Sequence, residues 1–190
     1  MGENKMKAIF YNDDTLDKLE QQEQWDKSLD YLNNLKTAQP SNKSILLRFA
    51  AQCWYVLTFW DCYMPTDKYN RKIFEAGLKE SYIIAKEKWW ADSDCLWIFG
   101  YFMCINQMAF SFVNADIREI EKEGNILICQ AHFKDPNNQL AEILFLTDND
   151  CKKKYLCAKK RRKNNINIYF PNESAVEQYF SEIFAGENNC

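Results

Sequence analysis

The single histidine, His132, lies three residues after Cys129, and this pair is the closest approach in the chain to a metal-ligand spacing. Cys151 and Cys157 would have to complete a tetrahedral site at a spacing that matches no common zinc finger, and no C-x-x-C occurs anywhere. Core thiols and a surface imidazole are the expected reading, so no metal is predicted. Nucleophilic catalysis needs a base beside the nucleophile, yet no Ser or Cys stands in a G-x-S-x-G or papain-like setting. The five glycines, Gly2, Gly77, Gly100, Gly124 and Gly186, never cluster, so neither a P-loop nor a dinucleotide fingerprint is present. The expectation is a protein with no cofactor and no catalytic residue of its own.

The charged residues carry more information. Asp13, Asp14, Asp17, Glu20, Glu23, Asp26 and Asp30 crowd the first helical region, and Asp116, Glu119, Glu121 and Glu123 crowd another. Acidic surfaces of this kind steer a basic protein into contact, and a basic protein is commonly one that holds nucleic acid. The opposite sign is gathered in CKKKYLCAKKRRK, where Lys152, Lys153, Lys154, Lys159, Lys160, Arg161, Arg162 and Lys163 form the alternative site, a basic patch for phosphates. Residues 1 to 150 hold 23 acidic and 16 basic side chains, against 4 and 8 in residues 151 to 190. No stacking-aromatic motif of the RNA-binding modules accompanies the lysines, which ranks nucleic acid below protein as the partner. Trp89 and Trp90, at a helix end among charges, are candidate interface anchors.

Helices must position these groups. Apolar residues recur at three- and four-residue spacing: Leu16, Leu19, Trp25, Leu29, Leu32 and Leu35 up to Pro40, then Ile45, Phe49, Cys53, Val56, Leu57 and Trp60 up to Pro65. Asp13 or Asp14 caps the first run. Thr66 or Asp67 is expected to cap a third, with Tyr69, Ile73, Gly77, Ile84 and Lys88 along one side. Cys95 to Val113 has no charge over nineteen residues, the length of a bilayer span. Its polar Asn106, Gln107 and Ser111 and its acidic flanks argue for a buried central helix opened by Asp92, Ser93 or Asp94. Asp116 with Glu119 fits a capping box for a helix through Ile117, Ile120, Leu127 and Ala131. Asp135-Pro136 ends it and a further helix starts near Leu140. Ile166, Ile168 and Phe170 alternate with Asn167 and Tyr169, which fits at most one short strand, or an extended linker, and Ser174 with Glu177 caps a last helix over 174–185.

With an apolar share of 47%, an aromatic share of 15% and nine Gly and Pro residues in 190, long regular elements are favoured over loops. The prediction is a single all-α domain over 1–190: an irregular array or bundle of seven or eight antiparallel helices, with stacked hairpins of the tetratricopeptide type as the second arrangement. The start MGENKMKAIFY has no apolar signal region, so the eight cysteines are expected to be reduced and the protein cytoplasmic.

A helical chain of this size, rich in Asn, Lys and Tyr, poor in Gly and acidic in its body, resembles the immunity proteins of bacterial contact-dependent or polymorphic toxin systems. The resemblance lies in composition and layout. It implies a cytosolic antidote that binds a cognate toxin domain, often a nuclease, and covers its active site. Two other functions follow from the residues: a helical-repeat scaffold that grips a peptide, and a nucleic-acid-binding regulator acting through 151–163.

Overall fold

A computed structural model describes residues 8–60, 62, 69–148, 166–171 and 174–185. Among them are ten helices and no strand, in agreement with the all-α reading. We number the α-helices α1 (Asp14–Gln21), α2 (Trp25–Ala38), α3 (Lys43–Thr58), α4 (Arg71–Lys88), α5 (Ser93–Ile105), α6 (Ile117–Lys134), α7 (Gln139–Asp148), α8 (Ile166–Tyr169) and α9 (Ala175–Ala185), with a 3-10 helix at Gln107–Val113.

Local signals explain most of the starts. The Asp13 carboxylate accepts the amides of Thr15 and Leu16 at 3.0 and 2.9 Å, Asp92 caps α5, and Asp116 and Glu119 form the reciprocal capping box of α6. Each satisfies amides that the first turn leaves without a helical partner. The run expected from Leu16 to Leu35 is two helices. It breaks where Glu23 takes φ 54°, and the chain restarts at the buried Trp25.

The third run also differs: α4 is capped by Asn70, and its buried face is Phe74, Gly77, Leu78, Ser81, Tyr82 and Ala85, which keeps Gly77 of the predicted stripe and leaves Ile73 exposed. The candidate caps Thr66 and Asp67 lie outside the described residues. The uncharged stretch is not one helix either, since α5 stops at Ile105 and the 3-10 helix leaves it at 111°. No single helix among the described residues is long and apolar enough to cross a membrane.

Helices α3 and α5 are wrapped on nearly all sides, and Trp54 of α3 stacks on Phe102 of α5 with centroids 4.6 Å apart while its indole N–H donates to the Phe102 carbonyl. Consecutive helices pack on one another through the first half and again from α5 to α7. The C-terminal helix closes the structure differently: α9 returns to α1 and α3, and its Phe180 meets Phe10, Trp54, Trp97 and Phe170. In a solenoid each repeat touches only its neighbours, so this closure makes the fold an irregular bundle.

The strand expected at 166–170 is corrected to a helical turn. Ile166, Tyr169 and Phe170 are buried together at i, i+3 and i+4, and the Phe170 amide donates to the Ile166 carbonyl at 3.0 Å.

Candidate protein-binding surface

The predicted first acidic cluster does not form one surface. Glu20 has left it altogether: it is fully buried and ion-paired with Arg48 of α3, beside Ser174, and this corrects its reading as a partner-facing group. Burial pushes its carboxyl up, and the Arg48 charge works against that. Asp13 accepts hydrogen bonds from the hydroxyls of Tyr31 and Tyr11 at 2.5 and 2.7 Å in addition to its two amides. Burial raises its pKa, but these donors outweigh burial and hold the carboxyl below its ordinary value.

The remaining carboxylates divide at the Glu23 break. Asp14 and Asp17 stay on α1, with Asp17 held by the Asn12 side-chain amide at 2.6 Å. Glu23 and Asp26 stand near Tyr69, whose hydroxyl donates to the Glu23 carbonyl. Burial first, and the charges of Asp26 and Glu23 after it, push that phenol up. Asp30 is exposed a turn beyond Asp26.

The second acidic cluster is spread around α6, with Glu119 and Glu123 on the α4 side and Glu121 on the other flank, and it has apolar company. Met108 (63% exposed) and Ile117 (52%) are exposed at the start of α6, Ile126 and Phe133 (72%) are exposed on its opposite flank, and Ile105 is exposed at the end of α5. Ile117 was expected in the buried stripe; it is exposed at the first position of α6, and the buried side of the helix is Ile120, Gly124, Leu127, Ile128 and Ala131. Single exposed hydrophobics are ordinary, whereas four of these border cavities in pairs. One of about 520 Å³ lies between Met108, Ala115, Ile117 and Arg118. A second of about 460 Å³ runs from Arg118 past Ile126 to Phe133. A third of about 400 Å³ opens on the α4 side, among Tyr82, Lys86, Met103, Val113, Ile120 and Glu123.

Asp116, Glu119, Glu121 and Glu123 rim this surface, although Asp116 and Glu119 also serve the capping box. Trp89 and Trp90, just after α4, are both half-buried and line none of these three cavities. Trp90 stands edge-on to Tyr82 at 5.5 Å, while the Lys86 ammonium lies 5.3 Å from the Tyr82 ring centre and 5.6 Å from that of Trp90. Lys88 lies 5.8 Å from the Trp89 ring centre, so each indole carries a cation on its face. Burial, and then the Glu123 charge, push the Tyr82 phenol up.

The core stripe of α6 does not disclose its outer apolar residues. Ile126 and Phe133 fall seven apart on the opposite flank, and that second apolar line was the available signal.

His132 stacks on Phe145 of α7, with ring centres 4.4 Å apart and planes 13° from parallel. No group of three or more His, Cys, Asp or Glu able to hold a metal occurs among the described residues. Cys151 and Cys157 lie outside them, as does the whole basic patch of Lys152, Lys153, Lys154, Lys159, Lys160, Arg161, Arg162 and Lys163. No protein-family model, no curated protein and no solved structure matches this chain, so its surface chemistry alone bears on what it binds.

Proposed function

We propose that this protein acts by binding another protein through the α6 surface, as an immunity protein that covers a basic toxin domain, a nuclease by class, in the cytoplasm. The observation that carries the reading is the pair of exposed apolar patches on α6 and the segment before it, Met108 with Ile117 and Ile126 with Phe133, each bordering a cavity whose charged lining mixes carboxylates with Arg118 and Lys122. Apolar anchors within a charged rim are the anatomy of a specific protein interface, in which the anchors supply affinity and the rim supplies rate and selectivity. Along α6 the carboxylates Asp116, Glu119, Glu121 and Glu123 outnumber Arg118 and Lys122, and that excess favours a partner rich in Lys and Arg, as a nucleic-acid-cleaving domain is. Covering the partner's substrate groove needs no reactive group on this chain. The likeness of its composition to toxin-immunity proteins supports the same reading.

The test is affinity capture from the native cells with the wild-type chain and with the double variant Ile126→Ser/Phe133→Ser, both of which replace exposed side chains. The expected result is a basic protein retained by the wild type, lost by the variant and released by moderate salt. Recovery of the same protein by both chains, or of nucleic acid alone, overturns the proposal.

A further inference from the structure

The cleft between α4 and α6 has Lys86 on its α4 side and Glu119 and Glu123 on its α6 side. On α4, Lys79 and Lys72 precede Lys86 at seven-residue spacing, all three exposed, on one stripe along a helix about 27 Å long. Of the three acidic residues of α4, Glu75 is bound to Arg71 at 2.9 Å, Glu80 is turned away and bound to Lys36 of α2 at 2.7 Å, and Glu87 is exposed but does not line the cleft. On the facing side of α6, Glu119 and Glu123 lie one turn apart and line the cleft. Lys122 lines its outer lip, with Arg118 one turn before it, on the flank that borders the neighbouring cavity. The floor is apolar, formed by Met103, Val113, Ala115 and Ile120, with Tyr82 in the wall.

This arrangement selects the kind of segment that fits. An extended strand laid there would leave its backbone N–H and C=O groups without partners over an apolar floor, since no strand edge occurs among the described residues. A helix satisfies its own backbone and presents apolar side chains at i, i+3/i+4 and i+7. We infer that the cleft between the lysine ridge of α4 and the Glu119–Glu123 ridge of α6 receives an amphipathic helix of the partner protein, with acidic residues along one edge of its apolar stripe and basic residues along the other. The inference rests on the proposed protein-binding role and names the element that binds. Salt bridges across the two rims fix the helix in register, as charged flanks do in paired helices, and like charges on either edge are rejected.

The probe is a fluorescently labelled synthetic helical peptide of about five turns with an apolar stripe, glutamates on one edge and lysines on the other. A peptide of identical composition with its charges interleaved on both edges is the comparison, as is a third with lysines on both edges. Anisotropy titration of the full chain is expected to show the segregated peptide binding about tenfold tighter than the interleaved one. The variant Lys79→Glu/Lys86→Glu, which makes both rims acidic, is expected to transfer the preference to the peptide with lysines on both edges. Equal affinities, no measurable binding, or an unchanged preference in a variant with wild-type circular dichroism and melting temperature overturns the inference. These results are independent of the capture experiment, where loss of the native partner on changing Ile126 and Phe133 stands whichever peptide wins.

Discussion

Gly100 of α5 and Gly124 of α6 meet backbone to backbone, and a β-carbon placed on either would lie 2.7 Å from the carbonyl oxygen of the other. That contact brings α6 hard against the buried α5 and so sets how its outer flank is presented. In an open helix position Gly→Ala stabilises by about 1 kcal/mol. Here the added methyl meets backbone, which cannot rotate aside, and overpacking of this kind costs about 1–3 kcal/mol. Gly100→Ala and Gly124→Ala are each expected to lower stability in urea unfolding, and their effects are expected not to add because both act on one crossing. A stabilised variant at either position would show that the helices can separate freely.

The buried pair of Glu20 and Arg48 ties α1 to α3, and through Ser174 and the Val176 amide to the start of α9. Arg48 is poorly served, because its Nε and Nη1 have no hydrogen-bond partner among the described residues. Removing one ion strands the other, so Glu20→Leu and Arg48→Met are each expected to cost about 3–5 kcal/mol. The double variant removes both desolvation penalties and is expected to cost far less than the sum of the two. A double-mutant cycle by chemical denaturation reads the coupling directly, and additive losses would refute it.

Asp13 supplies a pH dependence of known sign. Its folded-state carboxyl lies below the ordinary aspartate value near 3.9, because four hydrogen bonds to the charged form outweigh burial. The stability it contributes is therefore fully present above that ordinary value and is lost as the pH falls through the folded one. Asp13→Asn is expected to flatten this part of the acid limb of a stability-versus-pH curve, and Asp13→Ala to remove a cap worth about 0.5–2 kcal/mol as well. The same contacts work in reverse on Tyr31 and Tyr11, whose phenols are pushed up first by their hydrogen bonds to Asp13. Spectrophotometric titration should find both ionising late in the wild type, and earlier once Asp13 is replaced.

The contrast between these sites shows which parts of the structure were legible in the chain. Caps such as Asp13, Asp92 and Asp116 act on amides two or three residues away, so sequence alone locates them. The turn at Glu23 has no such mark, because neither Gly nor Pro is present and its left-handed φ is imposed by Trp25 entering the core. Five residues from Ile166 to Phe170 satisfy a period of two and a helical turn equally, and Phe10 against Phe170 at 5.8 Å helps decide between them. Glu20 reads as a surface carboxylate until Arg48, 28 residues on, is brought beside it. The α6 surface was half legible: its carboxylates form a cluster in sequence, while its apolar patches emerge only in the fold, and Lys86 comes opposite Glu119 and Glu123 only when α4 and α6 flank the same cleft.

Thiol chemistry offers a check on the core itself. Cys53 and Cys95 are fully buried in α3 and α5, and burial, as the leading cause, pushes both thiols far up. A thiol reacts as its thiolate, so neither has a reactive population while the helices remain packed. Cys62 is exposed. In native buffer a disulfide-exchange reagent is expected to modify Cys62 promptly and leave Cys53 and Cys95 intact. Their labelling should then require opening of the central helices, the part of a fold whose opening free energy approaches that of global unfolding. Sub-denaturing urea should accordingly accelerate Cys53 and Cys95 together and with the slope of global unfolding, read by mass spectrometry of labelled peptides. Rapid native labelling of either would mean that α3 or α5 opens locally, and a helix pair that opens locally could not hold α6 as the rigid wall of a binding cleft.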